Sequence, residues 1–151
     1  MQRMHGFRFA RLSDLADCRL AGGEADPRGW HVVSRESTRP GEVADLIVDV
    51  DSMTVRYLEI ELDKDALFLP RPRRTLVPAD VAWLNDDEDI VRLPVTAAQL
   101  LAAPSYEPRA LTLRRQAALR RRYAGYMEKA SSQLVGGVRR RRISGAVEKR
   151  Q

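Results

Sequence analysis

One stretch of the chain constrains the fold more than any other, because apolar and polar residues alternate along most of its length. It spans residues 41–62 and reads GEVADLIVDVDSMTVRYLEIEL. Val, Leu and Ile recur at every second position or in short apolar blocks over residues 43–50 and 55–62, which is the period of a half-buried strand. Polar and flexible residues at 51–53 separate the two runs. The stretch therefore predicts a β-hairpin with about eight residues per arm.

Shorter apolar runs on both sides of the hairpin predict further strands. Residues 30–33 follow DPRG and predict a first strand, residues 75–78 another, and residues 81–84 and 90–93 two more around the acidic turn 85–89. Residues 67–69 are followed closely by Pro70 and Pro72 and predict a loop or an edge segment. Short strands at close spacing predict a small barrel or a sandwich. We expect this β domain to cover residues 26–104, with residues 1–25 as an irregular segment wrapped around it.

The pattern changes from strands to helices after Pro94. Thr96 can cap a short helix over residues 97–102 that ends before Pro104. Good helix formers then predict a second helix over residues 113–130, within a helical extension at 105–135. A narrow apolar stripe follows the spacing of this helix: Leu119, Tyr123, Tyr126 and Ala130. The stripe packs either on the chain's own barrel or on a partner, and the candidate partner-binding residues are Arg114, Arg115, Tyr123 and Tyr126.

The net charge of +5 conceals a strong asymmetry along the chain. Residues 1–104 carry 13 Lys and Arg against 18 Asp and Glu, whereas residues 105–151 carry 13 against 3. We expect residues 136–151, which include the run of arginines at 139–142, to form a flexible basic tail. Such a tail is attracted to anionic lipid headgroups, to nucleic acid or to an acidic protein face, or it only keeps the chain soluble.

Residues that carry catalysis or hold a cofactor are scarce. Cys18 is the only cysteine, so a disulfide framework is excluded and a reducing compartment is expected. His5 and His31 have no serine, cysteine or carboxylate at a catalytic spacing, and the acidic turn lacks the pattern of a calcium loop. The sequence shows neither a signal peptide nor a membrane-spanning run. We therefore expect no enzyme activity, no metal and no directly bound cofactor.

The exception is a set of charged residues on the predicted hairpin: Asp45, Asp49, Asp51, Arg56, Glu59 and Glu61. Because side chains alternate along a strand, Asp45 and Asp49 are expected to share a face, as are Glu59 and Glu61. Clustered carboxylates can pass protons along a chain of water molecules. The set is therefore a candidate for proton transfer, and the alternative is an ordinary charged outer face.

Four segments resemble the PRC-barrel family, a module shared by the cytoplasmic domain of the photosynthetic reaction centre H subunit and by a ribosome maturation factor. They are DPRGW at 26–30, GEVADLIVDV at 41–50, VRYLEIELD at 55–63 and TLVPAD at 75–80. Beyond the barrel, LTLRRQ and RYAGYMEKA in residues 108–130 look like the C-terminal extension of the H subunit. The resemblance implies a mainly β fold, a small PRC-type barrel with a C-terminal helical extension. The family's N-terminal transmembrane helix has no counterpart in this sequence.

The H-subunit resemblance implies a non-catalytic role in photosynthesis, at the cytoplasmic face of the photosynthetic inner membrane. Such a subunit caps the L and M subunits, stabilises the complex and assists proton transfer to the secondary quinone. Bacteriochlorophyll, bacteriopheophytin, quinone and iron belong to the partner subunits. Either a separate membrane-anchored H-type chain is a further partner and supplies the anchor, or the domain docks on the complex without one. Asp49 and Arg56 match a hairpin acid and arginine near the quinone, whereas the family's other acid falls at Ser52, where neighbouring Asp51 is the substitute.

The alternative to an H-type subunit is a stand-alone PRC-barrel adaptor or an RNA- or ribosome-associated factor. In that case the arginine-rich tail would bind phosphates, and binding would weaken steeply with salt. Few exposed aromatic candidates for base stacking are present, so we expect no specific nucleic acid partner.

Overall fold

The computed structural model describes residues 8–130 and 141–150, and within these ranges it contains nine strands and two α-helices. The strands are β1 (Phe9–Arg11), β2 (Cys18–Leu20), β3 (His31–Val33), β4 (Gly41–Asp49), β5 (Thr54–Leu62), β6 (Arg73–Pro78), β7 (Trp83–Asn85), β8 (Ile90–Arg92) and β9 (Val147–Lys149). The helices are α1 (Ala97–Ala102) and α2 (Leu113–Ala130). The predicted class, a mainly β barrel with a C-terminal helical extension, is confirmed.

The predicted hairpin is the centre of the sheet. β4 and β5 are nine residues each and pair antiparallel from Gly41 opposite Leu62 to Asp49 opposite Thr54. Gly41 is required at the open end, because a Cβ there would lie 2.1 Å from the carbonyl oxygen of Glu61. Two register shifts, between Val43 and Asp45 and between Ile47 and Val48, interrupt the pairing. The alternation of side chains along β4 is therefore broken twice.

The remaining strands extend the hairpin into a curved sheet. The hydrogen-bonded order is β6-β5-β4-β3-β8-β7, and β1 pairs with β4 beyond the end of β3. All pairs are antiparallel except β3 with β8, which is parallel. The largest buried apolar side chains come from the sheet, from the 3₁₀ turn Leu12–Asp14 and from both helices: Leu12, Leu46, Ile47, Leu58, Ile60, Leu62, Leu76, Leu84, Leu100, Leu119 and Tyr123.

Both helices begin and end where the sequence predicts. The Thr96 hydroxyl accepts a hydrogen bond from the Gln99 N–H at 3.1 Å, and the Gln99 side chain accepts one from the Thr96 N–H at 2.9 Å. This reciprocal capping satisfies two free donors at the start of α1. α2 covers the predicted range and packs one side on the barrel, with contacts to β6.

The prediction of an irregular wrap over residues 1–25 is wrong for part of that segment. β1 pairs with β4 of the main sheet, and β2 pairs with β9 in a second sheet of two strands. Each strand has only three residues and lies outside any apolar run of the kind that marks β3, β7 and β8, and each pairs with a strand far away in the chain. Residues 1–7, which include His5, lie outside the described residues.

The prediction of a flexible basic tail is wrong for residues 141–150. In addition to β9, this segment forms isolated bridges between Arg141 and Leu84 and between Ala146 and Thr54. The Val55 N–H donates to the Gly145 carbonyl at 2.6 Å, so the segment lies against the start of β5. The rest of the predicted tail, 136–140 and residue 151, and the end of the predicted extension, 131–135, lie outside the described residues.

Candidate interaction surface

Glu59 is the most deeply buried member of the acidic set and is held by two arginines. Its side chain is 2% exposed on β5. The Nε and Nη2 atoms of Arg11 donate to its two carboxylate oxygens at 2.8 and 2.9 Å, and Nη1 of Arg74 donates to Oε1 at 3.2 Å. Because Arg11 lies on β1 and Arg74 on β6, the carboxylate ties together three strands of the sheet.

Two more carboxylates join this network closer to the surface. Arg74 Nε donates to Glu61 at 3.1 Å, and Arg11 Nη2 donates to Glu107 at 3.1 Å. The hydrogen bonds to Glu59 raise the pKa of Arg11, against the smaller lowering effect of its burial. The network joins the N-terminal strand, the hairpin and the segment that leads into α2.

Asp45 belongs to a separate cluster on β4. The carboxylate is buried and accepts a short hydrogen bond from the Ser13 hydroxyl, while Arg28 Nη1 lies 3.8 Å away. Arg28 is also paired with Asp26, whose hydrogen bonds raise the pKa of the guanidinium. Asp45 therefore anchors the segment that precedes the first hairpin strand.

Asp49 organises the hairpin turn. Its Oδ1 atom accepts from the backbone N–H groups of Asp51 at 3.0 Å and Ser52 at 3.4 Å. Arg56 lies on the neighbouring strand, with Nη2 3.7 Å from the Asp49 carboxylate. A carboxylate that accepts from the backbone two residues ahead stabilises a tight turn. Asp49 is buried, whereas Asp51 and Arg56 are exposed.

The structure brings only some of the proton-transfer candidates together. Glu59 and Glu61 share Arg74, and Asp45 lies opposite Glu59 in the strand register. Asp45 and Asp49 have different partners, because a register shift lies between them. Sequence reasoning missed the basic residues that hold the set. Arg74 lies directly opposite Glu61 in the pairing of β5 with β6, so an alignment of these two predicted strands could have identified it. No pattern in the sequence around Arg11 or Arg28 indicates that they contact the acidic set.

The inner face of α2 belongs to the chain's own core. Leu119 is fully buried, Tyr123 is 1% exposed, and Gln116 is buried with its amide donating to the Leu111 carbonyl at 3.3 Å. Tyr123 therefore does not present its ring to a partner, which corrects the prediction made for it. Tyr126 is half-buried and packs edge-on against Tyr123, with ring centroids 5.3 Å apart. Of the predicted stripe, Leu119 and Tyr123 pack in the core and Tyr126 lies against it.

The pKa values of two tyrosines, Tyr123 on α2 and Tyr57 on β5, are raised by burial. Burial raises the pKa of Tyr123, with a further contribution from Tyr126, and the Tyr123 hydroxyl has no hydrogen-bond partner in the described part of the chain. Burial also raises the pKa of Tyr57, although Arg120 of α2 acts in the opposite direction. Both phenols favour their neutral form in the folded protein.

Helix α2 carries five exposed arginines, of which Arg120 lies toward Tyr57 of the barrel. The others are Arg114, Arg115, Arg121 and Arg122. At 100° per residue, Arg114 and Arg121 lie about 160° and 140° from the direction of buried Gln116. Neither makes an ion pair within residues 8–130 and 141–150. We call Arg114 and Arg121 the outer arginine pair.

Arg115 and Arg122 flank the outer arginine pair but have partners on their own chain. Arg115 donates to the Ala110 carbonyl at 2.9 Å and lies 4.9 Å from the centre of the Tyr106 ring. Arg122 donates to the Tyr126 hydroxyl at 3.2 Å. Among the described arginines and tyrosines of α2, the outer arginine pair is therefore the better candidate for binding a partner.

Other kinds of site find no support in the described residues. Among residues 8–130 and 141–150, no group of three or more His, Cys, Asp or Glu side chains is arranged to hold a metal ion. No helix in the same ranges combines the length and the apolar character that crossing a membrane requires.

Comparison with known protein families gives a match over the strands that surround the hairpin. The family model described as the PRC-barrel domain matches residues 24–100, about half of the chain. The matched segment begins before β3 and ends within α1, so it contains the hairpin and the acidic set but not α2.

Proposed function

The chain belongs to the PRC-barrel family, and from this premise we propose that it is a non-catalytic docking subunit that binds an acidic partner surface through the outer arginine pair of α2. The barrel is of a kind that serves for interaction rather than catalysis. On this proposal the barrel holds α2 in place, and the exposed side of α2 carries the outer arginine pair that contacts the partner.

The observation that carries this proposal is the division of α2 into two faces. Leu119 and Tyr123 fix the helix on the barrel, so the exposed guanidinium groups are held by a rigid support. Guanidinium groups bind carboxylates or phosphates in a planar, bidentate geometry. Exposed cations also speed up the encounter with an acidic surface, and salt screens this attraction.

For the partner, we propose the cytoplasmic face of a type 2 photosynthetic reaction centre, formed by its L and M subunits. The support is the resemblance of residues 41–63 and 75–80 to the barrel of the H subunit and of residues 108–130 to its extension. On this proposal the chain lies at the photosynthetic membrane, and the pigments, quinone and iron remain in the partner subunits.

Proton delivery to the secondary quinone is the second part of the proposal. Asp51 is exposed at the hairpin turn, Asp49 is buried behind it, and Arg56 lies beside Asp49. We expect Asp49→Asn with Asp51→Asn to slow proton-coupled reduction of the quinone in reconstituted complexes. The new amide oxygen at position 49 can still accept the turn hydrogen bonds, so the fold is preserved. Asp87→Asn with Asp89→Asn, in an exposed turn, is the control, and an unchanged rate in the first variant removes these acids from the pathway.

The docking proposal is tested by binding to purified L–M cores in nanodiscs. The test variant is Arg114→Glu with Arg121→Glu, and the control is Arg35→Glu with Arg71→Glu, which makes the same charge change at exposed positions outside α2. Each cation near an anionic surface contributes about 1 kcal/mol to binding. We therefore expect the α2 variant to lose at least about tenfold in affinity for the cores and the control variant to lose little.

The same variants separate the proposal from its alternative. If the wild-type chain does not bind the cores but shifts total RNA in a gel, and the Arg114→Glu with Arg121→Glu variant does not shift it, the chain is an RNA-associated factor. Binding to the cores that is equal in both variants contradicts the role of the outer arginine pair.

A further inference from the structure

The segment around Arg141 lies along an edge strand of the main sheet. β7 is the last strand in the sheet order, and its outer side is bridged by this segment. The Leu84 N–H donates to the Arg141 carbonyl at 2.7 Å, and the Arg141 N–H donates to the Leu84 carbonyl at 3.1 Å. An extended segment that exchanges both hydrogen bonds with an edge strand is bound in the manner of an added strand.

The side chain of Arg141 is held between two carboxylates. Its Nε atom lies 2.9 Å from Oδ2 and 3.1 Å from Oδ1 of Asp86, and its Nη1 atom lies 2.6 Å from Oε1 of Glu24. Hydrogen bonding to Asp86 raises the pKa of this guanidinium, despite partial burial. The two carboxylates come from different loops, so together they form an acidic pocket for one guanidinium.

The next side chain has a different pocket. The guanidinium of Arg142 lies 3.6 Å from the centre of the Trp83 ring, and its Nη1 atom donates to the carbonyls of Asp80 at 2.6 Å and Ala82 at 3.2 Å. Burial lowers the pKa of this guanidinium. Because successive side chains of an extended segment point in opposite directions, one arginine reaches the acidic pocket and the next reaches the indole.

We propose that Glu24, Trp83, Leu84 and Asp86 form a receptor for an extended di-arginine segment, which we call the edge site, and that a second copy of this chain can supply that segment. In a single chain, Arg141 and Arg142 are the occupant. The sequence that fits the site is carried by every copy, so exchange between copies replaces each intramolecular contact by an identical intermolecular one. The position of the segment beside β7 and its pairing with Glu24 and Asp86 are the same whether the segment comes from the same chain or from a second copy.

Exchange should depend on chain concentration in a defined way. A ligand tethered to its own site has an effective concentration in the millimolar range, so the wild-type chain is expected to be a monomer in dilute solution. A copy whose own segment is disabled leaves its edge site open, and that site becomes available to the segment of another copy.

Two full-length variants test this exchange. The first, Arg141→Glu with Arg142→Ala, has an open site and no ligand segment. The second, Trp83→Ala with Asp86→Asn, has a damaged site that holds the two arginine side chains of its own segment less tightly. Each alone should sediment as a monomer, whereas an equimolar mixture should form a heterodimer. In the control mixture, Asp87→Asn replaces the second variant. Asp87 is an exposed neighbour with no side-chain contact to the segment, so its chain keeps its segment in place and should form no heterodimer.

The outcomes of the mixture are distinct. A heterodimer that forms with the second variant and not with the Asp87→Asn chain supports exchange at the edge site. No heterodimer at concentrations up to hundreds of micromolar overturns the proposal, and so does equal association in the control mixture. Circular dichroism of each variant shows whether it is folded before mixing.

A second measurement uses the wild-type chain and does not depend on the folding of a variant. Sedimentation of the wild type should show a growing fraction of dimer as its concentration approaches about 1 mM, the order of the tethered effective concentration. Arg141→Lys with Arg142→Lys should reduce that fraction, because an ammonium group lacks the planar set of donors that reaches Asp86 through Nε and Glu24 through Nη1, and cannot stack on Trp83 as a guanidinium does. A wild-type chain that stays monomeric over this range contradicts the proposal.

Discussion

The central hairpin and helix α2 are both rich in charged side chains, and they use them in opposite ways. On the hairpin, Glu59, Asp45 and Asp49 are buried, and each accepts hydrogen bonds from residues elsewhere in the chain or from the turn. On α2, Arg114 and Arg121 are exposed and make no ion pair within the described residues. The same class of side chain holds the fold in one region and is available to a partner in the other.

The difference follows from burial rather than from sequence spacing. A buried charge is tolerated only when partners replace its lost hydration, so its removal or exposure disturbs the fold. An exposed charge on a helix contributes little to stability. The comparison therefore predicts large stability effects and small binding effects on the hairpin, and the reverse on α2.

The largest expected effect is the loss of Glu59. Glu59→Ala leaves the guanidinium groups of Arg11 and Arg74 without their shared acceptor. Because both arginines are partly exposed, we expect a loss of about 3 kcal/mol in the free energy of unfolding, at the low end for broken buried pairs. Urea denaturation measures it. Glu42→Ala, an exposed position on β4, is the control and should change stability by less than about 0.5 kcal/mol. A loss below about 1 kcal/mol for Glu59→Ala would show that the network is not needed for folding.

The next effect is a fall in the free energy of unfolding at high pH, which the buried tyrosines cause. The folded protein holds the pKa of Tyr123 above its ordinary value, so at pH values above about 10 the unfolded chain loses the phenolic proton first. Stability should be unaffected by this group below pH 10 and should fall above it, by up to about 1.4 kcal/mol per pH unit for each such tyrosine.

Tyr123→Phe isolates that contribution. It removes a hydroxyl that has no partner in the described structure, so at neutral pH the variant should be no less stable than the wild type. Its stability should also fall less steeply above pH 10 than that of the wild type. Equal slopes for wild type and Tyr123→Phe would mean that Tyr123 is not buried in solution.

The smallest expected effect on stability is that of the outer arginine pair. Arg114→Ala with Arg121→Ala should change the free energy of unfolding by no more than about 0.5 kcal/mol, because neither side chain has an ion-pair partner in the described residues. Thermal and urea denaturation of the double variant measure the change. A loss above about 1 kcal/mol would place these arginines with the hairpin charges, as part of what holds the fold.

The parts of the fold that could be predicted from sequence are those with long, regular patterns. Two arms of nine residues carry the alternation of a strand, and α2, which is 18 residues long, consists of good helix formers with an apolar stripe, so both were found with their bounds nearly correct. β1, β2 and β9 have three residues each and depend on distant partners. The equally short β3, β7 and β8 lie in apolar runs and were predicted from them, whereas β1, β2 and β9 have no such run to mark them.

The candidate site shows the same limit. The carboxylates on the hairpin could be named from sequence, but Arg11, which holds Glu59, lies 48 residues away. The stripe on α2 located the right face, whereas only the structure shows that Tyr123 packs on the barrel. The arginines at 141 and 142 have the composition of a solvated tail, and the pockets that bind them are formed by residues more than fifty positions earlier. Proton transfer by the acidic set stays a prediction.

The measurement that tests the account most directly is a ratio of two dissociation constants for purified L–M cores. It compares Arg114→Glu with Arg121→Glu against Arg35→Glu with Arg71→Glu, both at low salt and both shown to be folded. The account predicts that the α2 variant binds at least about tenfold more weakly than the control. Equal dissociation constants, with both variants as stable as the wild type, would contradict it.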